Sequence, residues 1–271
     1  MTDQTLIDAF EKMLQDHSTP QAVRDISAGG SSANLWQIIE QSGFADALVP
    51  EEKGGAGLSL ADVFPLLFLC GRYALPVPYG DTIIVRAASA KAGEEAPEGP
   101  VLLTDEVPGF TPDSLKCNGA VLTAALMAGA MERVLEMTVE FAGDRNQFGR
   151  PIGKFQAVQQ LLSVMAEQSY SAKMAAELGC QSTGWQADPH LAALAKSRCS
   201  EAAKVVAANA HAVHGAIGAT DEYDLHLFTR RLHQWRNGFG SEGYWNKRLG
   251  EMVLASDNNR VLDDIRDRLS A

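Results

Sequence analysis

Residues 144–168 read DRNQFGRPIGKFQAVQQLLSVMAEQ, and this stretch decides the fold of the chain. It opens with a compact turn, R-N-Q-F-G at 145–149, that holds an arginine, an aromatic residue and a glycine. Pro151 then leads into a long segment in which apolar residues recur at helical spacing. The stretch predicts a corner between two helices that presents a guanidinium, an aromatic ring and, from Gln156, an amide.

These three side-chain types together suit a nucleotide. Arginine makes bidentate contacts with phosphate oxygens, an aromatic ring packs on a nucleobase, and an amide both donates and accepts hydrogen bonds. An ordinary inter-helix turn with a solvated Arg145 is the more usual explanation of an isolated R-x-x-F-G. The motif alone leaves both interpretations open.

The rest of the C-terminal part has a helical pattern. Apolar residues fall at i, i+3, i+4 and i+7 from Val158, and Asp188 followed by Pro189 is typical of a capped helix start. Long helices joined by short turns indicate a four-helix bundle with a terminal helix. The predicted helices cover 121–142, 155–185, 188–214, 221–235, 241–255 and 257–269.

The N-terminal part is also predicted to be helical, at 3–14, 33–42, 60–73 and 81–92. Ser59 is a good N-cap for the third of these helices. The segment AGEEAPEGP at 92–100 has the composition of a linker. Two short strand candidates follow it, at 101–104 and 107–111.

The predicted fold class is therefore all-α, in three parts. Residues 1–95 form an N-terminal helical domain, residues 96–116 a linker with a residual β segment, and residues 117–271 a C-terminal helical bundle.

Bulk properties exclude several function classes. The chain has 271 residues and a net charge of −11, which argues against a nucleic-acid footprint. The most apolar run, 119–131, is too short to span a bilayer, and the N-terminus has no signal-peptide pattern. The four cysteines lack the spacing of a metal site and indicate a reducing compartment, the cytoplasm.

Three ordered motifs carry a resemblance to a known family. Arg145, Phe148, Gly149 and Gln156 resemble the signature that opens the C-terminal helical domain of acyl-CoA dehydrogenases. Upstream, LVPEEKGGAGLS at 48–59 resembles the P-E-x-x-G-G-x-G turn of that family. Downstream, HGAIGAT at 214–220 and DEYDLHLFTRR at 221–231 resemble its G-G-x-G-x-T turn and the helix that follows.

The resemblance implies FAD as cofactor. In the family, the arginine and phenylalanine of the signature contact the ADP part of an FAD held mainly by a neighbouring subunit. The corresponding residues here are Arg145 and Phe148, joined by Gln147 and Gln156.

A second family element that contacts FAD is altered in this chain. Gly215 and Gly218 match the glycine turn, but Ala212 replaces its glutamine and Ala216 its second glycine. An amide partner is lost, and the added methyl group narrows the approach of a ligand to the backbone. Two interpretations of Gly215 and Gly218 are equally open. They contact FAD, or they only end one helix and begin the next.

The resemblance also shows what this chain lacks. The family carries a β domain of roughly a hundred residues between its helical domains, which covers one side of the flavin, and only a short segment stands there here. The family's catalytic glutamate corresponds to Phe239, and its alternative position to about Gly119. Glu242 is a weaker candidate for the base, three residues beyond the usual position, so no catalytic residue is assigned.

These features predict the non-catalytic partner in a heteromeric, α2β2-type acyl-CoA dehydrogenase. The run GRYALPVP at 71–78 resembles subunits of steroid catabolism, which makes steroid-derived CoA thioesters a candidate substrate class. Three alternatives stay open: a self-sufficient acyl-CoA dehydrogenase that uses Glu242, a flavin-free scaffold, and an acyl-CoA-binding subunit. A homodimer is the alternative assembly.

His211 and His214 have a spacing that can chelate a metal, but no carboxylate or cysteine is placed to complete a site, so no metal site is predicted. Arg230 and Arg231 are interpreted either as a contact for a CoA phosphate or as stabilisers of a helix end.

Overall fold

A computed structural model of the chain describes residues 4–255. The predicted helix at 257–269 lies outside these residues. The described chain is helical apart from one small two-stranded sheet, which confirms the all-α prediction. The helices are α1 Gln4–His17, α2 Pro20–Ser27, α3 Ala33–Gln41, α4 Leu60–Arg72, α5 Tyr79–Ala92, α6 Pro112–Asp144, α7 Gln156–Gly179, α8 Pro189–His214, α9 Leu225–Asn237 and α10 Glu242–Leu254.

Helices α6 to α9 form the C-terminal bundle. Helix α8 lies at its centre and packs against α6, α7, α9 and α10. Small residues on α6, among them Ala124 and Ala128, are fully buried, so the neighbouring helices approach closely. One continuous hydrophobic core joins this bundle to the N-terminal helices.

Helix α4 of the N-terminal part packs directly on α6 through two glycines. A Cβ atom built on Gly71 would lie 2.0 Å from the backbone oxygen of Leu126, and one built on Gly129 would lie 1.8 Å from that of Phe68. Real Cβ atoms do not approach an oxygen so closely. The crossing of α4 and α6 therefore requires glycine at both positions.

The helix-start signals read from the sequence are confirmed. The Ser59 hydroxyl accepts a hydrogen bond from the Asp62 backbone, and the Asp62 carboxylate accepts one from the Ser59 backbone, which completes a capping box. The Asp188 carboxylate accepts hydrogen bonds from the backbone N–H groups of His190 and Leu191, with Pro189 in the first turn.

The residual β segment predicted after the linker was wrong, since residues 101–111 form no strand. The Val101 N–H donates to the Thr82 hydroxyl (3.0 Å), and that hydroxyl donates to the Val101 carbonyl (3.1 Å). The single Thr82 hydroxyl hydrogen is shared between this carbonyl and that of Pro78 (2.9 Å). A side chain of α5 thus takes the place beside Val101 that a neighbouring strand would have. Leu103 and Val107 are buried against the helices.

Three predicted helix boundaries differ by four residues or more. Helix α9, predicted from residue 221, begins at Leu225. Helix α6 begins at Pro112, capped by Thr111, well before the predicted start. Helix α7 ends at Gly179 rather than at residue 185. Among residues 4–255, no helix is long and apolar enough to cross a membrane.

Candidate functional site

The R-N-Q-F-G turn forms a β-hairpin between α6 and α7. Strands β1 (Asn146–Gln147) and β2 (Arg150–Pro151) pair antiparallel, with Gln147 opposite Arg150. Phe148 and Gly149 form a two-residue loop with φ of 53° and 81°. Positive φ at both loop residues is the geometry of a type I′ hairpin turn, which favours glycine and is uncommon for a bulky residue.

The Phe148 side chain points away from the protein. It is 90% exposed, and its ring meets only the edge of Phe155, at a centroid distance of 6.0 Å. A non-glycine residue at positive φ costs about 1–3 kcal/mol and is concentrated at functional sites. The hairpin thus presents an aromatic ring to solvent at a cost in stability.

Arg145 stands at the base of the same hairpin. Its carbonyl accepts a hydrogen bond from the Ile152 N–H at 2.8 Å, which closes the turn. Its guanidinium is exposed and has no ion pair within the part of the chain that the structure describes. Gln147 and Gln156 are exposed too, so the four residues of the predicted signature share one exposed corner.

The Gly215–Ala219 turn lies at the same end of the bundle as the hairpin. The ring of Phe141, near the end of α6, stacks on His214, the last residue of α8, at 4.4 Å. Gly218 is buried, and a Cβ atom there would lie 2.9 Å from the His214 Cβ, so packing demands this glycine. Gly215 has a φ of 66° and open space around it.

The two family positions for the catalytic base meet at the opposite end of α6. A Cβ atom built on Gly119 would lie 2.3 Å from the ring of Phe239, so the ring rests on the Gly119 backbone. The Phe239 backbone has a φ of 54°, and its carbonyl accepts a hydrogen bond from the Trp245 indole (3.0 Å). The two positions predicted for the catalytic base are therefore in contact, and neither carries a carboxylate.

The hairpin and Phe239 lie far apart. Gly119 and Arg145 are at opposite ends of α6, about 39 Å apart at about 1.5 Å per residue. One dinucleotide cannot span that length. The exposed corner and the Phe239 position of one chain therefore cannot serve the same cofactor molecule.

A cavity of about 340 Å³ opens beside Phe239, between the start of α5, the middle of α6 and the end of α9. Pro76, Val77 and Pro78 line it, so the GRYALPVP run forms part of its wall. Asp81 is the carboxylate among the lining residues, and burial raises its pKa to about 6. The sequence analysis missed Asp81, because no local pattern links it to residues more than 150 positions away.

Glu242, the weaker candidate for a base, is held in ion pairs. Its carboxylate accepts two hydrogen bonds from the Arg236 guanidinium, one of them at 3.0 Å, and lies 3.1 Å from the Lys204 Nζ. These hydrogen bonds, that of Arg236 above all, lower its pKa to about 2. A carboxylate of such low basicity is a poor proton acceptor at neutral pH.

Substitution of Glu242 by glutamine should lower the free energy of unfolding by about 1–2 kcal/mol at pH 7. Because folding lowers this pKa, the stabilisation is complete above the ordinary value of 4.5 and is lost as the pH falls towards 2. Urea denaturation at pH 7, 4 and 3 should show the difference from wild type shrinking. Glu251→Gln, which removes an exposed carboxylate from the same helix, is the matched control and should have almost no effect. A constant difference at all three pH values would contradict the assignment.

The histidines have protein partners. The His211 ring lies 3.0 Å from the Thr229 hydroxyl, and the His214 Nδ1 lies 2.8 Å from the Ala210 carbonyl. His226 Nδ1 lies 2.9 Å from the Tyr223 carbonyl. Of the adjacent arginines Arg230 and Arg231 on α9, Arg230 is exposed, whereas Arg231 lines the cavity.

Comparison with known proteins places these observations in a family context. Residues 117–253 match the family described as acyl-CoA dehydrogenase, C-terminal domain. The chain is 30% identical to the acyl-CoA dehydrogenase IpdE2 of Mycobacterium tuberculosis, over 85% of this chain and 90% of that protein.

Solved structures share the fold. A chain of the ChsE4-ChsE5 complex from Mycobacterium tuberculosis superposes with a TM-score of 0.79 at 19% identity, covering 94% of this chain and 98% of that one. A chain of the Tcur3481-Tcur3483 steroid ACAD, G363A variant, superposes with a TM-score of 0.77 at 20% identity, covering 93% and 97%.

Proposed function

The chain belongs to the acyl-CoA dehydrogenase family, and from that premise we propose that it is the non-catalytic subunit of a heteromeric dehydrogenase of CoA thioesters. In this role it completes an FAD site shared with a homologous subunit. Members of the family are FAD-dependent oxidoreductases.

The observation that carries the proposal is the contact between Phe239 and Gly119. Dehydrogenation of an acyl-CoA needs a carboxylate within hydrogen-bonding reach of the α-proton. Both family positions for it come together here, and an aromatic ring occupies them. Glu242 is held by Arg236 and Lys204 instead. The chain thus keeps the scaffold but supplies no base at the family positions.

The exposed corner fits the ADP part of FAD. Arg145 has an exposed guanidinium without an ion pair in the described chain, which suits a phosphate. Phe148 has an exposed ring, which suits adenine. Gln147, Gln156 and Gly215 are the further residues proposed to contact it, while Gly218 supports the turn by packing. When bound, FAD supplies the acceptor for the hydride of the substrate. Arg145 lies about 39 Å along α6 from Gly119, on which the Phe239 ring rests, so we propose that the flavin it helps to hold serves a site on the partner.

Exposed apolar side chains on the bundle support a surface for a partner. Helix α7 exposes Tyr170 and Met174, at 65% and 66%, and α6 exposes Val139. Large apolar side chains exposed to solvent are typical of protein–protein interfaces when they form one patch. Together with the shared FAD site, they support an assembly of α2β2 type with a homologous subunit.

The substrate class is proposed from the relatives. One structural neighbour is described as a steroid ACAD, and another is a complex of two different subunits. A steroid-derived CoA thioester is therefore our proposed substrate of the assembly.

The experiment compares the purified chain with the chain co-expressed with homologous acyl-CoA dehydrogenase subunits of the same organism. We expect bound flavin, measured by absorbance, and acyl-CoA dehydrogenase activity only in the larger assembly, which is identified by its native mass. Stoichiometric flavin and turnover in the chain alone, abolished by Asp81→Asn or Glu242→Gln, would overturn the proposal and show a self-sufficient enzyme. If flavin is absent from both preparations, the chain is a scaffold. If the chain binds CoA esters without flavin, it is an acyl-CoA-binding subunit.

A further inference from the structure

Arg231 is a largely buried cation without a counter-ion. It lines the cavity beside Phe239, and its guanidinium donates a hydrogen bond to the Leu75 carbonyl at 3.1 Å. Within residues 4–255 it has no carboxylate within ion-pair distance, although Asp81 lines the same cavity. Burial lowers the pKa of Arg231, and no neighbouring anion offsets that effect.

Two other arginines of the protein interior each form ion pairs with at least two carboxylates. Arg86 is held by Glu40 and Asp46, and Arg72 by Glu132 and Glu136. A buried charge is costly unless an opposite charge or several hydrogen bonds compensate it. Arg231 has the Leu75 carbonyl and the ring of Trp235, whose centroid lies 6.0 Å from the guanidinium carbon, so most of its five donors have no partner among residues 4–255. An anionic ligand would supply the missing charge.

The cavity wall limits what that ligand can be. Most of the wall around Arg231 is apolar, including Leu122, Leu126, Trp235 and Phe239. Its volume of about 340 Å³ lies at the small end of ligand pockets, which run from about 300 to 1,000 Å³. The ligand must therefore be small and mainly apolar, with one anionic group.

We propose that this cavity binds a small organic carboxylate, with the planar Arg231 guanidinium contacting the carboxylate and the apolar wall enclosing the rest of the molecule. A carboxylate fits better than a phosphate dianion because Arg231 is the one cationic side chain among the lining residues, so a second negative charge would be left without a partner. The Asp81 carboxylate disfavours a second negative group elsewhere in the cavity. The proposal is independent of the FAD site, since Leu126, the α6 lining residue nearest the hairpin, is about 28 Å along the helix from Arg145.

The test is calorimetric titration of the purified full-length chain with 2-naphthoate and with its neutral analogue 2-naphthamide. We expect the carboxylate to bind at least tenfold more tightly than the amide. Arg231→Gln should remove that preference and leave binding of the amide unchanged, and Arg231→Lys should retain part of it. Equal affinities in the wild type, a preference that survives in Arg231→Gln, or no binding of either probe would overturn the proposal.

A second pair of variants avoids any effect of Arg231 on folding. Leu102 lies at the mouth of the cavity and is exposed, so its replacement leaves the core intact. Leu102→Glu should weaken binding of 2-naphthoate several-fold by repulsion, and Leu102→Gln, of similar size without charge, should not. Identical affinities in the two variants would place the carboxylate away from this cavity.

Discussion

Substitution of Arg145 by alanine should weaken FAD binding by the hetero-assembly about tenfold to a hundredfold. A charged hydrogen bond contributes about 1.5–3 kcal/mol, and Arg145 has no partner in the described chain that would take part of that energy. Phe148→Ala should also weaken binding, because it removes the exposed ring. Titration of the flavin-free assembly with FAD, followed by flavin fluorescence, measures both effects.

The matched control is Lys154→Ala, which removes one exposed positive charge from the segment that follows the hairpin. Its FAD affinity should stay near that of the wild type, because the proposed contact is specific to the hairpin. Each variant should keep the wild-type native mass, which separates cofactor loss from dissociation of the subunits. Unchanged FAD affinity in Arg145→Ala would remove the hairpin from the cofactor site.

Gly129→Ala should have the largest effect on stability, a loss of about 3 kcal/mol or more. The new methyl group would lie 1.8 Å from the Phe68 carbonyl oxygen, a backbone atom that can move only if α4 shifts away from α6. Over-packing of a core costs about 1–3 kcal/mol when side chains can adjust, and more when they cannot. Urea denaturation followed by circular dichroism gives the change in the free energy of unfolding.

Gly143→Ala is the control on the same helix. A Cβ atom there meets nothing within 4 Å, so the substitution should stabilise the protein slightly, by up to about 1 kcal/mol, through the higher helix propensity of alanine. A Gly129→Ala variant as stable as Gly143→Ala would show that α4 and α6 are not in direct backbone contact.

Local features of the structure could be predicted from the sequence alone. Ser59 and Asp188 cap helices because their side chains satisfy backbone N–H groups only a few residues away. The glycine and aromatic of residues 145–149 predicted the corner between α6 and α7, and the three ordered motifs predicted the family, which the comparisons confirm. The site residues on that corner remain a prediction.

Contacts between distant parts of the chain decided the rest. Residues 101–104 and 107–111 were predicted as strands, but a strand needs a neighbouring strand, and the tertiary structure places Thr82 of helix α5 beside the backbone of Val101. The ring of Phe239 on Gly119, and Asp81 and Arg231 around one cavity, join residues from helices far apart in sequence. Caps and helical periodicity depend on neighbours within one or two turns, which the sequence records directly. Which side chains share a cavity depends on how the helices cross, and only the folded core determines that.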